Sequence, residues 1–323
     1  MYGSVKTLED FTEFYNNTLL EDLKSLEQER RKIVSKLIVV FVIILFILGF
    51  CLLMIKVNSG ATAPFLFIPI ILCIITYAAI CHFMTKGYVS TFKSLVIRRI
   101  VHFIDENLNY DASEYIDHTT FMMSKIFTTR PNQYKGDDLV WGKTGATEIK
   151  FSEIHAEHES GSGKNKRRYT IFKGLFFIGD FNKHFTCETV VLPDTAEKLF
   201  GYFGQKLQSM NVFRGQLIKL EDPEFESHFV VYGDDQIQAR YILSMSLMER
   251  IVEFKKKTDR EIYLSFIGSK VFVAVSYTKS LFEPRLFRTL LDFEPIREYF
   301  RDLQLAIGIV DDLNLNTRIW SKK

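Results

Sequence analysis

Cysteine is scarce in this chain, and an excess of charge of either sign is missing. Of four cysteines, Cys51, Cys73 and Cys81 lie in apolar runs and Cys187 stands alone outside them. A lone thiol cannot build an internal disulfide framework or a cysteine-based zinc site, which fits a reducing compartment. The 41 basic and 39 acidic side chains leave a net charge of +2. That balance gives no footprint for nucleic acid, which needs a basic excess or a basic face. Seven prolines and 17 glycines among 323 residues leave no long disordered tract. Signatures of an activated nucleophile are missing too. The sequence has no G-x-S-x-G elbow and no H-E-x-x-H helix, and Cys187 near His184 is its nearest approach to a Cys–His pair.

Long apolar runs, by contrast, are present. Leu37 to Ile55 is nineteen residues without a charge, and Ala63 to Met84 is a second such run. At about 1.5 Å per residue each covers most of a bilayer core roughly 30 Å thick. Neither has the polar face of a helix packed on a globular core. The 36 residues before the first run are rich in acids, which argues against a cleaved signal sequence. Pro64 opens the second run, and Pro69 is expected to kink it. Lys24, Arg30, Arg31, Lys32 and Lys36 precede the first run, and Lys86, Lys93, Arg98 and Arg99 follow the second. The connecting loop from Lys56 to Thr62 holds only Lys56. The bias toward internal positive charge places both termini in the cytoplasm and a short hairpin loop outside.

Four regions follow. Residues 1–36 read as a cytoplasmic amphipathic helix whose stripe is Leu8, Phe11, Tyr15, Leu19, Leu23, Leu26, Ile33 and Leu37, with Arg30 filling one slot. The stripe's period is nearer 3.6 than 3.5, which suits packing on the chain's own helices better than a coiled coil. Residues 37–84 form the two membrane helices and their loop. Residues 85–136 read as a helical connector, amphipathic through Phe92, Leu95, Val96, Ile100, Phe103 and Ile104. Residues 137–323 form an α+β domain. Its period switches to two over Asp138–Gly142, Thr147–Glu157, Tyr169–Phe181 and Phe185–Leu192, which predicts antiparallel strands.

Further elements are predicted beyond these strands. A helix opened by Pro193 and Asp194 is expected to reach about Met210. Strands are expected at Leu217–Leu220 and Ser227–Tyr232. A helix capped by Asp234 and Asp235 should break near Ser244 and end at Lys255, Lys256 and Lys257. Ile262–Ile267 and Val271–Tyr277 read as a hairpin turned by Gly268 and Ser269, with glycine first as a type II′ turn requires. Pro295 opens a final helix. No alternation of strand and helix suggests a parallel sheet. The fold class is therefore α+β, a two-helix transmembrane hairpin carrying a cytoplasmic domain of antiparallel strands and helices.

Several groups of residues are candidates for chemistry or contact. The loop Glu159–Arg168 contains Gly163-Lys164, but His158 and Asn165 stand where a phosphate loop needs glycine and a hydroxyl. Lys164, Lys166, Arg167 and Arg168 instead form a basic patch suited to anionic lipid, at about 1 kcal/mol per basic group. Glu153, His155 and Glu157 share a strand face, for which a solvated face is the expected role, and no metal is assigned. Lys173 and Gly174 interrupt the most apolar strand. Gly174 permits a bulge or a close backbone approach in a bent core strand. Alternatively, Phe172 and Phe176 line a groove for a partner segment. The doublets Asp137-Asp138, Asp234-Asp235 and Asp311-Asp312 are explained by turns and caps.

The segments "FKGLFFIGDFNKHF" (Phe172–Phe185), "HFVVYGDDQIQARYILSMSLMERI" (His228–Ile251) and "SLFEPRLF" (Ser280–Phe287) resemble the bacterial family of domain of unknown function 3137. "VIRRIVHFIDENLNYD" and "GDDLVWGKTG" resemble its upstream segments, and the likeness extends over about residues 15–320. Ser246 stands where that family often has proline before "MER". The resemblance implies a membrane-anchored bacterial protein of the inner membrane, often accompanied by LemA-type membrane proteins, and it carries no catalytic residues.

The reading that results is a non-catalytic, membrane-anchored interaction or regulatory module. It has no cofactor, and its partners are the bilayer and a LemA-type protein. The alternatives are a hydrolase-like enzyme tethered at the bilayer, which would need converging polar groups in a pocket, or a sensor of anionic lipid.

Overall fold

The computed structural model describes residues 6–57, 67–161, 163–181, 184–194 and 215–316. The expected helix opened by Pro193 and Asp194 lies outside these residues beyond Asp194, and Pro193 ends a strand instead. Pro64 and most of the expected external loop also lie outside them. The chain divides into two compact units. One comprises Lys6–Arg99 and Glu283–Glu298, and the other comprises Ile100–Phe282 and the chain from Tyr299 onward.

In the first unit, Thr7 opens helix α1 (Leu8–Phe14) with a capping box closed by Asp10. A π-helical turn at Tyr15–Leu19 leads into α2 (Leu20–Val57). Helix α3 (Phe67–Phe92) continues through a second π turn, Lys93–Ile97, into α4 (Arg98–Ile104). The expected stripe on the first helix is buried at Phe11, Tyr15, Leu19, Leu23, Leu26, Arg30 and Leu37, whereas Leu8 is exposed. Beyond Leu37 the character reverses. Ile38, Phe46, Phe50 and Leu53 on α2, and Ile68, Leu72, Ile75 and Phe83 on α3, are exposed large apolar groups.

The second unit carries a sheet of nine described strands, all antiparallel, in the order β1-β2-β3-β4-β9-β8-β5-β7-β6. The strands are β1 (Leu108–Asp111), β2 (Gln133–Thr144), β3 (Thr147–Ser160), β4 (Arg167–Asp180), β5 (Thr189–Pro193), β6 (Gln216–Ile218), β7 (Phe229–Gly233), β8 (Ile262–Ile267) and β9 (Lys270–Ser276). The α+β class thus holds. Residues 85–136, expected as a helical connector, also supply β1 and the first residues of β2. Four residues alternating in burial are too short a run to stand out as a strand from the sequence alone, and pairing with β2 makes β1 one.

Helix α5 (His118–Met123) covers one face of the central strands. Phe121 meets Phe176 at a centroid distance of 5.1 Å and Phe127 meets Phe172 at 5.1 Å. Ile154, Phe272 and Ala274 complete this core. Helix α6 (Pro223–His228) replaces the start of the strand expected from Ser227. Pro223 begins it and Asp222 caps it, and β7 follows at once.

Helices α7 (Gln236–Ile242) and α8 (Met245–Thr258) show the expected break at Ser244. Asp235 accepts from the Ile237 and Gln238 amides, and α8 ends on Lys255, Lys256 and Lys257 with Asp259 left-handed. Ser246 lies in the first turn of α8, where proline would also be tolerated. At the β8–β9 turn Gly268 has φ 63° and Ser269 is not among the positive-φ residues, as type II′ requires. The last helix, α9 (Phe293–Asp312), carries Pro295 in its first turn.

Candidate functional site

The segment 283–293 lies along the first helix and is held there by polar contacts. Arg30 forms a two-point fork with Glu27, one turn away on the same helix, with Nε–Oε2 and Nη2–Oε1 both 2.7 Å. Its remaining Nη1 donates to the Leu286 carbonyl at 2.6 Å. Glu27 Oε2 accepts the Leu290 amide at 3.0 Å, and Oε1 accepts from Arg31 at 2.9 Å. Both oxygens are thereby saturated, and the Arg30 guanidinium draws the Glu27 carboxyl down from 4.5 to about 2, against the opposing effect of burial. Lys93, buried in the π turn, pairs with Glu283 at 2.8 Å. The Tyr15 hydroxyl donates to the Leu291 carbonyl, and its ring meets Phe293 edge-on. The segment therefore runs antiparallel to the helix, from Leu286 at Arg30 to Phe293 at Tyr15 and Phe11. Tyr88 is buried beside the fork, and burial pushes its phenol well above the ordinary range.

A second cluster sits where β2 bulges against β3. Asp137 pairs with Glu153 and Val140 with Phe151, so Asp138 and Leu139 together face Ser152. Asp138 takes the left-handed conformation at φ 59°, is fully buried, and accepts the Tyr110 hydroxyl. Glu153 Oε2 accepts the Leu281 amide at 2.7 Å. One oxygen from each of Asp137, Asp138 and Glu153 lies within 4.8 Å of the others. This is the set of side chains that could ligate a hard cation among the described residues. The expectation from sequence grouped Glu153 with His155 and Glu157 along one strand. It missed the aspartates, because only the β2–β3 register brings the doublet opposite Glu153. His155 instead meets Glu157 at 3.5 Å.

The basic loop is where its sequence places it, between β3 and β4. Lys166 pairs with Glu159, and Arg168 contacts Glu159 at 2.9 Å and Glu157 at 3.7 Å. Arg167 is exposed and Lys164 lies in a short 3₁₀ turn, Gly163–Asn165. Phe172 and Phe176 are 3% and 0% exposed, so the structure puts both rings inside the core under α5 and on no groove. The bulge in β4 falls at Ile171, the residue left between the Ala156–Phe172 and Glu157–Thr170 pairs. Gly174 serves the close approach. Its φ is 151°, and a Cβ there would lie 2.1 Å from the Val275 carbonyl oxygen.

None of the curated proteins compared with the chain matches it. The crystal structure of the mycobacterial trehalose monomycolate transport factor A, TtfA, is similar over 69% of this chain and 93% of its own, at 9% identity and a TM-score of 0.31. That likeness is too loose to bear on function. Residues 170–315 match the family described as "Protein of unknown function (DUF3137)", a narrower span than the motifs led us to expect. The match takes in most of β4 and the later strands together with α6 to α9, and this part of the chain is similar to that family.

Proposed function

We propose that the protein is a membrane-anchored, non-catalytic interaction or regulatory module. One observation supports this most: the two apolar helices present their large side chains outward. The stretches Leu8–Cys51 and Ile70–Ile104 are long and apolar enough to cross a membrane, and 6% and 0% of their most apolar windows are buried. A core helix of a water-soluble protein buries such a window. Here Phe46 is 77% exposed and Phe83 is 84% exposed, a surface whose natural solvent is hydrocarbon. In this reading the basic residues flanking the runs keep both termini in the cytoplasm of a bacterial inner membrane, and the sheet unit is displayed there.

The partner suggested by the family resemblance is a LemA-type membrane protein. The basic loop from Lys164 to Arg168 offers a contact for anionic lipid. Fractionation tests the anchor. The full-length chain should remain with membranes through alkaline carbonate washing and leave them only with detergent. Recovery in the aqueous fraction would overturn the proposal. Crosslinking in native membranes tests the partner, since capture of the chain alone removes the scaffold role. A reporter fused after Lys323 that is active only outside the cytoplasm would reverse the orientation.

A further inference from the structure

We propose that segment 283–292 is a membrane-interface anchor, with Phe287 seated among lipid headgroups and Arg285 and Arg288 facing lipid phosphates. This rests on the membrane reading above and adds to it a specific surface and ligand class. The segment's direction carries the argument. It meets the first helix at Arg30 through Leu286, at Glu27 through Leu290, and at Tyr15 through Leu291, so its Leu286 end is the one nearer the apolar run. Arg30 precedes Leu37 by seven residues, or about 10 Å along the axis. The headgroup zone adds about 5–8 Å on each side of the hydrocarbon. The Leu286 level thus stands at the outer border of that zone, and Phe287, on the side toward Leu290, meets the zone's outer edge with its ring.

The side chains there fit it. Phe287 is 76% exposed, although the buried Glu27–Arg30 fork fixes the backbone beside it. A rigidly held, exposed aromatic flanked by arginines has the character of an interfacial anchor. The ring partitions to the interface while the guanidinium groups remain at phosphate level. Arg285 shares its charge with Glu298 at 2.7 Å, and Arg288 is exposed. Arg31, Lys32 and Lys36 on the helix and Lys86 on α3 are exposed on the approaches to the apolar runs, where they outnumber the exposed Glu29.

The test uses the full chain with Cys51, Cys73, Cys81 and Cys187 replaced by Ala. A single cysteine is introduced as Phe287→Cys or, for reference, as Phe46→Cys. Each is labelled with an environment-sensitive fluorophore after reconstitution in vesicles of phosphatidylethanolamine and phosphatidylglycerol. Phe287 is exposed, so its replacement leaves the fork intact. The expected result is that headgroup-proximal nitroxide lipids quench the label at position 287 and aqueous iodide quenches it poorly, while chain-terminal nitroxides quench the label at 46. If the label at 46 lies in lipid and the one at 287 is quenched freely by iodide, the anchor is overturned and the membrane reading stands. Shielding at 287 from both iodide and nitroxide lipids means protein covers the ring, which also overturns the lipid inference. If neither label is quenched by lipid, the membrane reading itself falls, and the anchor with it.

Discussion

Glu27 and Arg30 grip one another through both carboxylate oxygens at 2.7 Å, on a helix face that carries apolar residues one turn away in each direction. Arg30 occupies a slot in an otherwise apolar stripe because its remaining nitrogen has a carbonyl to bind, that of Leu286. Replacing Glu27 by Gln leaves a buried guanidinium without its counter-charge. We expect a loss of about 3 kcal/mol, read as a lower midpoint in thermal unfolding of the detergent-solubilised chain.

The same pair sets a pH dependence. The folded-state carboxyl of Glu27 is drawn from 4.5 to about 2, which corresponds to about 3 kcal/mol. A depressed carboxylate stabilises above its ordinary value and loses that contribution as pH falls toward the folded value. The difference in unfolding midpoint between the native chain and Glu27→Gln should therefore be full at neutral pH. It should shrink between about pH 5 and pH 2. A difference that stays constant over this range would count against the ion pair.

Tyr88 offers a change in the opposite direction. Its hydroxyl is buried and finds no hydrogen-bond partner among the described residues. Tyr88→Phe removes an unsatisfied polar group and keeps the ring. We expect it to be neutral or to stabilise by about 1 kcal/mol, in the same thermal measurement.

Asp138 combines a left-handed backbone with a buried bond from Tyr110. Aspartate tolerates that conformation better than most residues and uses its carboxylate to hold β1 against the bulge. Asp138→Ala loses both advantages and should cost about 2–4 kcal/mol. Asp138→Asn should cost less, because the amide oxygen still accepts from Tyr110. Denaturant titration followed by Trp141 fluorescence would rank the two, and a reversed order would refute this account of the bulge.

At Gly174, any side chain meets the β9 backbone. Gly174→Ala should destabilise the sheet unit by about 2–4 kcal/mol, whereas Gly163→Ala in the basic loop, where a Cβ meets nothing within 4 Å and only the left-handed φ of 59° is strained, should cost about 1 kcal/mol. Hydrogen exchange over 167–180 and 270–276 would show whether the loss is local to this strand pair.

Changing Lys164, Lys166, Arg167 and Arg168 together to Gln tests the loop as a lipid contact. Lys166 and Arg168 already face Glu159, so the gain from lipid is less than four independent charges would give. Weaker binding to anionic vesicles at low salt, with less salt dependence, is the expected outcome. Unchanged binding would remove the loop from the interface.

Much of the fold was legible in the sequence because its signals are local. The β8–β9 hairpin shows alternating residues and a Gly-Ser turn. The break at Ser244 and the cap at Asp235 are likewise written in adjacent residues. The buried stripe from Phe11 to Leu37 follows helical spacing, including the slot that Arg30 fills. What stayed hidden depends on register or on distant partners. Glu27 reads as a solvated acid until Leu290 arrives from more than 260 positions away. Asp137 and Asp138 read as a turn until β3 sets Glu153 opposite them. The groove stayed open as an alternative for Phe172 and Phe176 beside the core-strand reading because α5, the element that covers them, is only six residues long and leaves a weak periodic signal.

Among the described strands the sheet ends in β1 and β6, four and three residues long, while its inner strands β3 and β4 reach fourteen. An outermost strand this short leaves few unpaired amides for another polypeptide to zip onto, so molecules crowded side by side gain little from docking border to border. Lengthening either margin by design would remove that safeguard and invite filaments.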